Sequence, residues 1–182
     1  MHMLHFNTPE SVEGWAAIDD RVMGGVSTSR MSFDPDGHAV FEGVVSIDNG
    51  GGFASVRHPE LRLGEVGTVG YRLQVRGDGK RYKLNLRMDA ALDGVNYQAL
   101  FQPPADRWVD LVLPLGVFSP RYRGQPVPNA PTLRPERVCQ VGWMVADGQT
   151  GPFQLAIRTV ACLGQGTAAG ERSRNDVSAP SA

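Results

Sequence analysis

The chain has 182 residues, enough for one domain of ordinary size with a segment to spare. Its 18 basic and 19 acidic residues leave a formal net charge of −1, so no bulk field draws it to nucleic acid or anionic lipid. Apolar residues make up 41%, no apolar run is long enough to span a membrane, and 22 glycines with 13 prolines favour many short strands over long helices.

Residues 1–7 carry neither a basic and apolar leader nor an Arg/Ser-rich transit segment, and His2 and His5 sit three apart at what reads as a frayed terminus. With Cys139 and Cys162 far apart in apolar runs and no CxxC spacing, buried free thiols and a reducing, cytoplasmic setting are expected.

The densest chemistry follows, between Trp15 and Arg57. Asp19-Asp20-Arg21-Val22-Met23-Gly24-Gly25-Val26-Ser27 is answered later by Asn49-Gly50-Gly51-Gly52-Phe53-Ala54-Ser55-Val56-Arg57. Three readings are open. Carboxylates beside Asn49 can offer oxygens to calcium, although no EF-hand spacing is present. Glycine-rich backbone can form an anion nest. The plain reading is structural: glycines take positive φ at tight turns while Asp and Asn bond loop backbone. Asp19 and Asp20 are adjacent, so in extended chain they point apart and do not share a site.

Strands are expected at 30–33, 39–47 and 53–57, with turns at Asp34-Pro35-Asp36-Gly37 and 48–52. Tyr71, Leu73 and Val75 then alternate with Arg72, Gln74 and Arg76, and Tyr82, Leu84, Leu86 and Met88 alternate with Lys83, Asn85 and Arg87. Gly77-Asp78-Gly79 between them reads as a hairpin turn, which would gather Arg72, Gln74, Arg76, Lys83, Asn85 and Arg87 on one polar face, with Asn96 and Gln98 extending it. Such a face can grip carboxylates, phosphates or sugars, or it can be an ordinary solvated surface. Further strands are expected at 96–102, 108–113, 138–145 and 153–163, with a short helical turn near Val117 and Phe118. Five prolines between Ser119 and Pro135 mark either a functional loop or a strap over a sheet edge. Residues 6–163 thus read as one antiparallel β-sandwich or barrel, and 164–182, poor in large apolar residues, as a disordered tail.

No nucleophile elbow, P-loop or dinucleotide fingerprint is present, and the histidines lack metal spacing, so neither an enzyme nor a cofactor or metal protein is expected.

The ordered run of Trp15, Asp20, Met23, Gly24, Gly25, Ser27, then Asn49, Gly51, Gly52, Phe53, Ser55, Arg57, and later Asp78 and Tyr82 resembles the complex I intermediate-associated protein family. Phe41-Glu42-Gly43, Arg123-Gly124 and Gly142-Trp143-Met144-Val145-Ala146-Asp147 continue it. The resemblance implies a galactose-binding-like jelly roll similar to carbohydrate-binding modules. It also implies no catalytic residues, and kinship with assembly chaperones of respiratory complex I. Two functions follow as expectations: a protein-binding assembly or scaffolding factor, with a membrane-complex intermediate as partner, or a carbohydrate-binding module using one sandwich face. Sugar-binding faces usually present aromatic platforms, whereas Tyr71 and Tyr82 fall on the apolar side, which favours the protein partner.

Overall fold

The structure is a computed structural model that describes residues 3–91 and 93–164. Among these residues thirteen strands follow in order: β1 Met3–His5, β2 Ala16–Ala17, β3 Thr28–Asp34, β4 His38–Val45, β5 Ala54–His58, β6 Thr68–Arg76 and β7 Tyr82–Arg87. Then come β8 Asn96–Phe101, β9 Trp108–Pro114, β10 Ser119–Tyr122, β11 Gln125–Pro126, β12 Gln140–Val145 and β13 Gly151–Gly164. The helical content among the described residues is a handful of short 3-10 turns, and none is long or apolar enough to cross a membrane.

The strands form two antiparallel sheets. The first runs β3-β4-β13-β6-β9, with β1 also on β13; the second runs β11-β10-β8-β7-β12-β5-β2. Period-two patterning explains the layering. Tyr71, Leu73 and Val75 of β6, Tyr82, Leu84 and Leu86 of β7, and Phe41 and Leu155 are fully buried between the sheets, as is Trp143 of β12. Rings of Phe41, Tyr82, Phe101, Phe153 and Trp143 stack edge-on or tilted across this layer, the geometry aromatic quadrupoles favour.

The expected strands all appear, within a few residues of the sequence reading. The hairpin does not. β6 pairs with β9 and β13 in one sheet, and β7 with β8 and β12 in the other. Gly77-Asp78-Gly79 is therefore an arch between sheets. Asp78 holds it by accepting from Lys80 N–H at 3.0 Å and the Tyr82 hydroxyl at 2.9 Å, and from Gln154 N–H of β13 at 2.9 Å. Alternation tells which side of a strand is buried but is silent on which sheet it joins. The terminus read as frayed is β1, with His5 opposite Thr159. Of the expected tail, Gly164 ends β13 and 165–182 lie outside the described residues.

Candidate functional site

Asp19 and Asp20 are buried where the chain enters β3. Asp20 opens a 3-10 turn, Asp20–Met23, that Gly24 closes at φ +87°. Its Oδ1 accepts from Ser27 N–H at 3.0 Å, and its Oδ2 from the Ser27 hydroxyl at 2.6 Å, Gly52 N–H at 2.7 Å and Phe53 N–H at 3.3 Å. Asp19 serves a different set, Ser29 N–H at 3.0 Å, the Ser29 hydroxyl at 2.6 Å and Ser55 N–H at 2.9 Å. The two carboxylates thus do not share a site, as adjacency implied. Burial opposes the charge on Asp20, but the bonds from Ser27, Gly52 and Phe53 together outweigh it and hold its carboxyl below the usual range.

This arrangement answers the three readings of the motif. The N–H groups do converge on an anion, and that anion is the protein's own Asp20. A cation would have to displace those donors, and among the described residues no group of three or more His, Cys, Asp or Glu is placed to hold a metal. The glycines serve the clamp: a Cβ on Gly25 would lie 2.4 Å from the Asp20 carboxyl carbon, and one on Gly51 2.5 Å from its Oδ2. Trp15 packs on Phe6 and His58, and Asn49 takes φ +56° in the turn before Gly51. Met23 is the exception, 65% exposed beside Val22 at 81%.

The expected cationic face is divided by the arch. Arg72, Gln74 and Arg76 lie on the outer side of the first sheet, where the Arg76 guanidinium stands 5.1 Å from the Trp108 ring centre. Lys83, Asn85 and Arg87 lie on the outer side of the second sheet, where they meet residues that the sequence did not group with them. Gly142 of β12 pairs with Arg57 on one side and Asn85 on the other, and Asn85 pairs with Gln98, itself opposite Ser119. That row crosses five strands. In the row beside it Gln140 pairs with Arg87, and Asn96 of β8 pairs with Arg121 of β10. The Leu86–Tyr97 pair brings Arg87 next to Asn96.

Gly142 carries no side chain in this face, where a Cβ would meet the Val56 carbonyl at 2.9 Å, and the trough beside it is a gap of about 20 Å³ lined by Arg57, Asn85, Arg87, Asn96 and Gln140. Around it Asn85 is 7% exposed, Arg87 3% and Gln140 2%. The amide oxygens of Asn85, Asn96 and Gln140 are shut from solvent and accept no hydrogen bond. Burial and then the neighbouring Arg87 charge push the Arg57 guanidinium below its ordinary value, with Asp89 and Asp93 opposing. Lys83 pairs with Asp147 at 2.8 Å, and Asp89 stands 3.6 Å from Arg87. Sequence reasoning had a signal for Asn96 and Gln98 in their alternation on β8, named Arg57 in the family run without placing it on this face, and had none for Arg121 or Gln140, which come from strands distant in the chain.

The proline-rich segment is a strap. β10 adds to β8, β11 adds to β10, and the Tyr97 hydroxyl donates to the Pro131 carbonyl. Its rim is tied across to the β7–β8 loop by Arg123 and the Tyr122 hydroxyl, both on Asp93, at 2.6 and 3.0 Å.

The family model described as Complex I intermediate-associated protein 30 matches residues 4–157. A Schizosaccharomyces pombe protein described only as uncharacterized is 26% identical, over 87% of this chain and 82% of its own. The mitochondrial Complex I intermediate-associated protein 30 of Drosophila melanogaster is 25% identical over 84% of this chain, which spans 59% of that relative's length. Among solved structures, the family 11 carbohydrate-binding module of Clostridium thermocellum, in complex with a β-1,3-1,4-mixed-linked tetrasaccharide, superposes with a TM-score of 0.64 at 14% identity. That match covers 90% of this chain and 96% of the module. At such identity the likeness is one of fold: an antiparallel, galactose-binding-like jelly roll.

Proposed function

The chain belongs to the Complex I intermediate-associated protein 30 family, and from that premise we propose that it is a single non-catalytic binding domain that engages a protein partner during assembly of a membrane complex. The observation that carries the reading is the family model's match over residues 4–157, and the polar outer face of the second sheet, where Lys83, Asn85, Gln98 and Ser119 lie, is the surface a partner would cover. The relatives' printed name supplies the partner class, an intermediate of respiratory complex I. The fitting place for a chain with two free thiols is a reducing compartment, cytoplasmic in a bacterium.

The test is in cells. A tagged chain, crosslinked and resolved with native membrane complexes, should migrate with sub-assemblies smaller than the finished enzyme, and its deletion should make those sub-assemblies accumulate. A chain that migrates alone, with assembly normal in its absence, would overturn the reading.

The second reading, a carbohydrate-binding module, draws support from the fold of the Clostridium module. It is weakened by the outer face itself, since Tyr82, Tyr97, Phe101 and Trp143 of β7, β8 and β12 all point inward, while Tyr122 at the β10 edge is exposed. Affinity electrophoresis in mixed-linked glucan separates the two readings: retardation supports the module.

A further inference from the structure

One dipeptide of the motif has chemistry that the clamp does not use. Asn49-Gly50 occupies the centre of a tight turn in which Gly51 N–H donates to the Asp48 carbonyl at 3.0 Å. Both central residues are left-handed, Asn49 at φ +56° and Gly50 at φ +76°, the conformation that selects Asn-Gly in type I′ turns. The residues that suit the turn are also a labile pair. Asparagine is thermolabile, and most of all before glycine, whose nitrogen no side chain shields. Asn49 and Gly50 are both exposed, and a Cβ built on Gly50 would meet no atom within 4 Å.

We propose that Asn49 is a self-modification site, converting to isoaspartate at a rate that the Asp20 clamp sets. The Gly50 nitrogen, having given its proton to base, attacks the Asn49 side-chain carbonyl carbon. The bond from that carbon to the side-chain nitrogen breaks, and ammonia leaves. The five-membered imide so formed takes up water and opens at either carbonyl. Opening at the main-chain carbonyl leaves isoaspartate, with one extra methylene in the backbone; opening at the other leaves aspartate. Water enters and ammonia departs, and nothing is oxidised or reduced.

The gating is geometric. At ψ +28° the Gly50 nitrogen is turned away from the Asn49 side chain, so the attack waits for the turn to open. That opening is resisted from both ends. Downstream, Gly52 N–H donates to Asp20 Oδ2 at 2.7 Å; upstream, Ser46 N–H donates to the Ser27 hydroxyl at 3.0 Å, which itself donates to Asp20 Oδ2 at 2.6 Å. One carboxylate and one hydroxyl hold the whole loop that carries Asn49. Conversion acts back on them: the added methylene displaces the Gly52 and Phe53 donors from Asp20, and the new carboxylate stands next to Asp48. The result is an irreversible passage from a clamped loop to a loosened one, independent of the partner class.

The purified full chain is incubated at mildly alkaline pH and digested with trypsin. The peptide 31–57 contains no amide side chain but that of Asn49, so any gain of acid for amide in its mass reports this residue. The acid form should appear with time, mostly as isoaspartate, and faster as pH rises. Ser27→Ala removes the hydroxyl that joins the two ties, and should speed conversion by about tenfold in a chain that still melts cooperatively. Urea below the unfolding transition loosens the loop without any substitution and should speed it likewise. Asn49→Gln should abolish conversion, and the converted chain should melt below the fresh one.

A folded chain that keeps its Asn49 amide under conditions where the urea-unfolded chain loses it overturns the proposal. So does a product that is aspartate alone, which would bypass the imide. A rate indifferent both to Ser27→Ala and to urea removes the gating by the clamp.

Discussion

At the head of β3, Asp19 and Asp20 are buried and every carboxylate oxygen accepts a hydrogen bond; across the outer face of the second sheet, Asn85 and Gln140 are buried as deeply, yet their amide oxygens accept none. The first region ties a loop to two sheets. The second holds polar groups that folding alone does not use. A buried polar group with its partners in place holds the architecture, and one sealed beside a gap of about 20 Å³ has room for a single water.

Asp20→Ala is the largest test of the contrast. It orphans the Ser27, Gly52 and Phe53 donors together, and should cost about 4 kcal/mol, roughly 10 °C in melting temperature. Because the folded carboxyl titrates below its unfolded value, this stabilisation is complete above about pH 4 and drains away as pH falls through the folded pKa. The Asp20→Ala chain should accordingly show a shallower acid limb when melts are compared across that window. Next in size is Gly25→Ala, whose methyl group collides with the Asp20 carboxyl; a loss of about 2 kcal/mol is expected in denaturant titrations. Gly24→Ala meets no atom within 4 Å but inherits φ +87°, so strain alone should cost about 1 kcal/mol.

On the receptive face the same operation should behave differently. Asn85→Leu replaces an amide whose oxygen accepts no hydrogen bond with an apolar group of similar size, and should change stability by less than about 1 kcal/mol, with a gain as readily as a loss. A loss on the scale of Asp20→Ala would erase the distinction between the regions. The floor is set by Arg30→Ala. Its ion pair with Glu42 at 2.8 Å is solvent-exposed, and breaking it should cost less than about 0.5 kcal/mol.

The strands were legible because apolar residues repeat every second position, and Gly or Pro punctuates the gaps. Tyr71 and Tyr82 were placed inward by the same signal, and both are fully buried. Sheet membership was not legible. A hairpin and an arch present identical alternation on either side of Gly77-Asp78-Gly79, and Asp78's bond to Gln154 N–H, 76 positions away, leaves no local trace. The clamp motif was legible as a motif, through glycines beside carboxylates, while its function as an internal nest needed Ser27, Gly52 and Ser55 in space. For the trough, Lys83, Asn85 and Arg87 were found on their own strand. Arg57 was found as a motif residue but not on this face, and Arg121 and Gln140 were not found, since a sheet face is assembled from strands whose order no period encodes.

β13 carries a last consequence, one of timing. Its first half, 151–157, pairs with β4, its second half, 156–164, with β6, and 159–161 also take β1, so the first sheet has no middle without residues 151–164. On a ribosome, β1, β3, β4 and β6 emerge long before the strand that joins them, and must wait with open edges that invite pairing with other chains. Closure of the first sheet then becomes a late event of long sequence reach, slow for topological reasons. While nascent, the domain would depend on whatever shields those edges until β13 arrives.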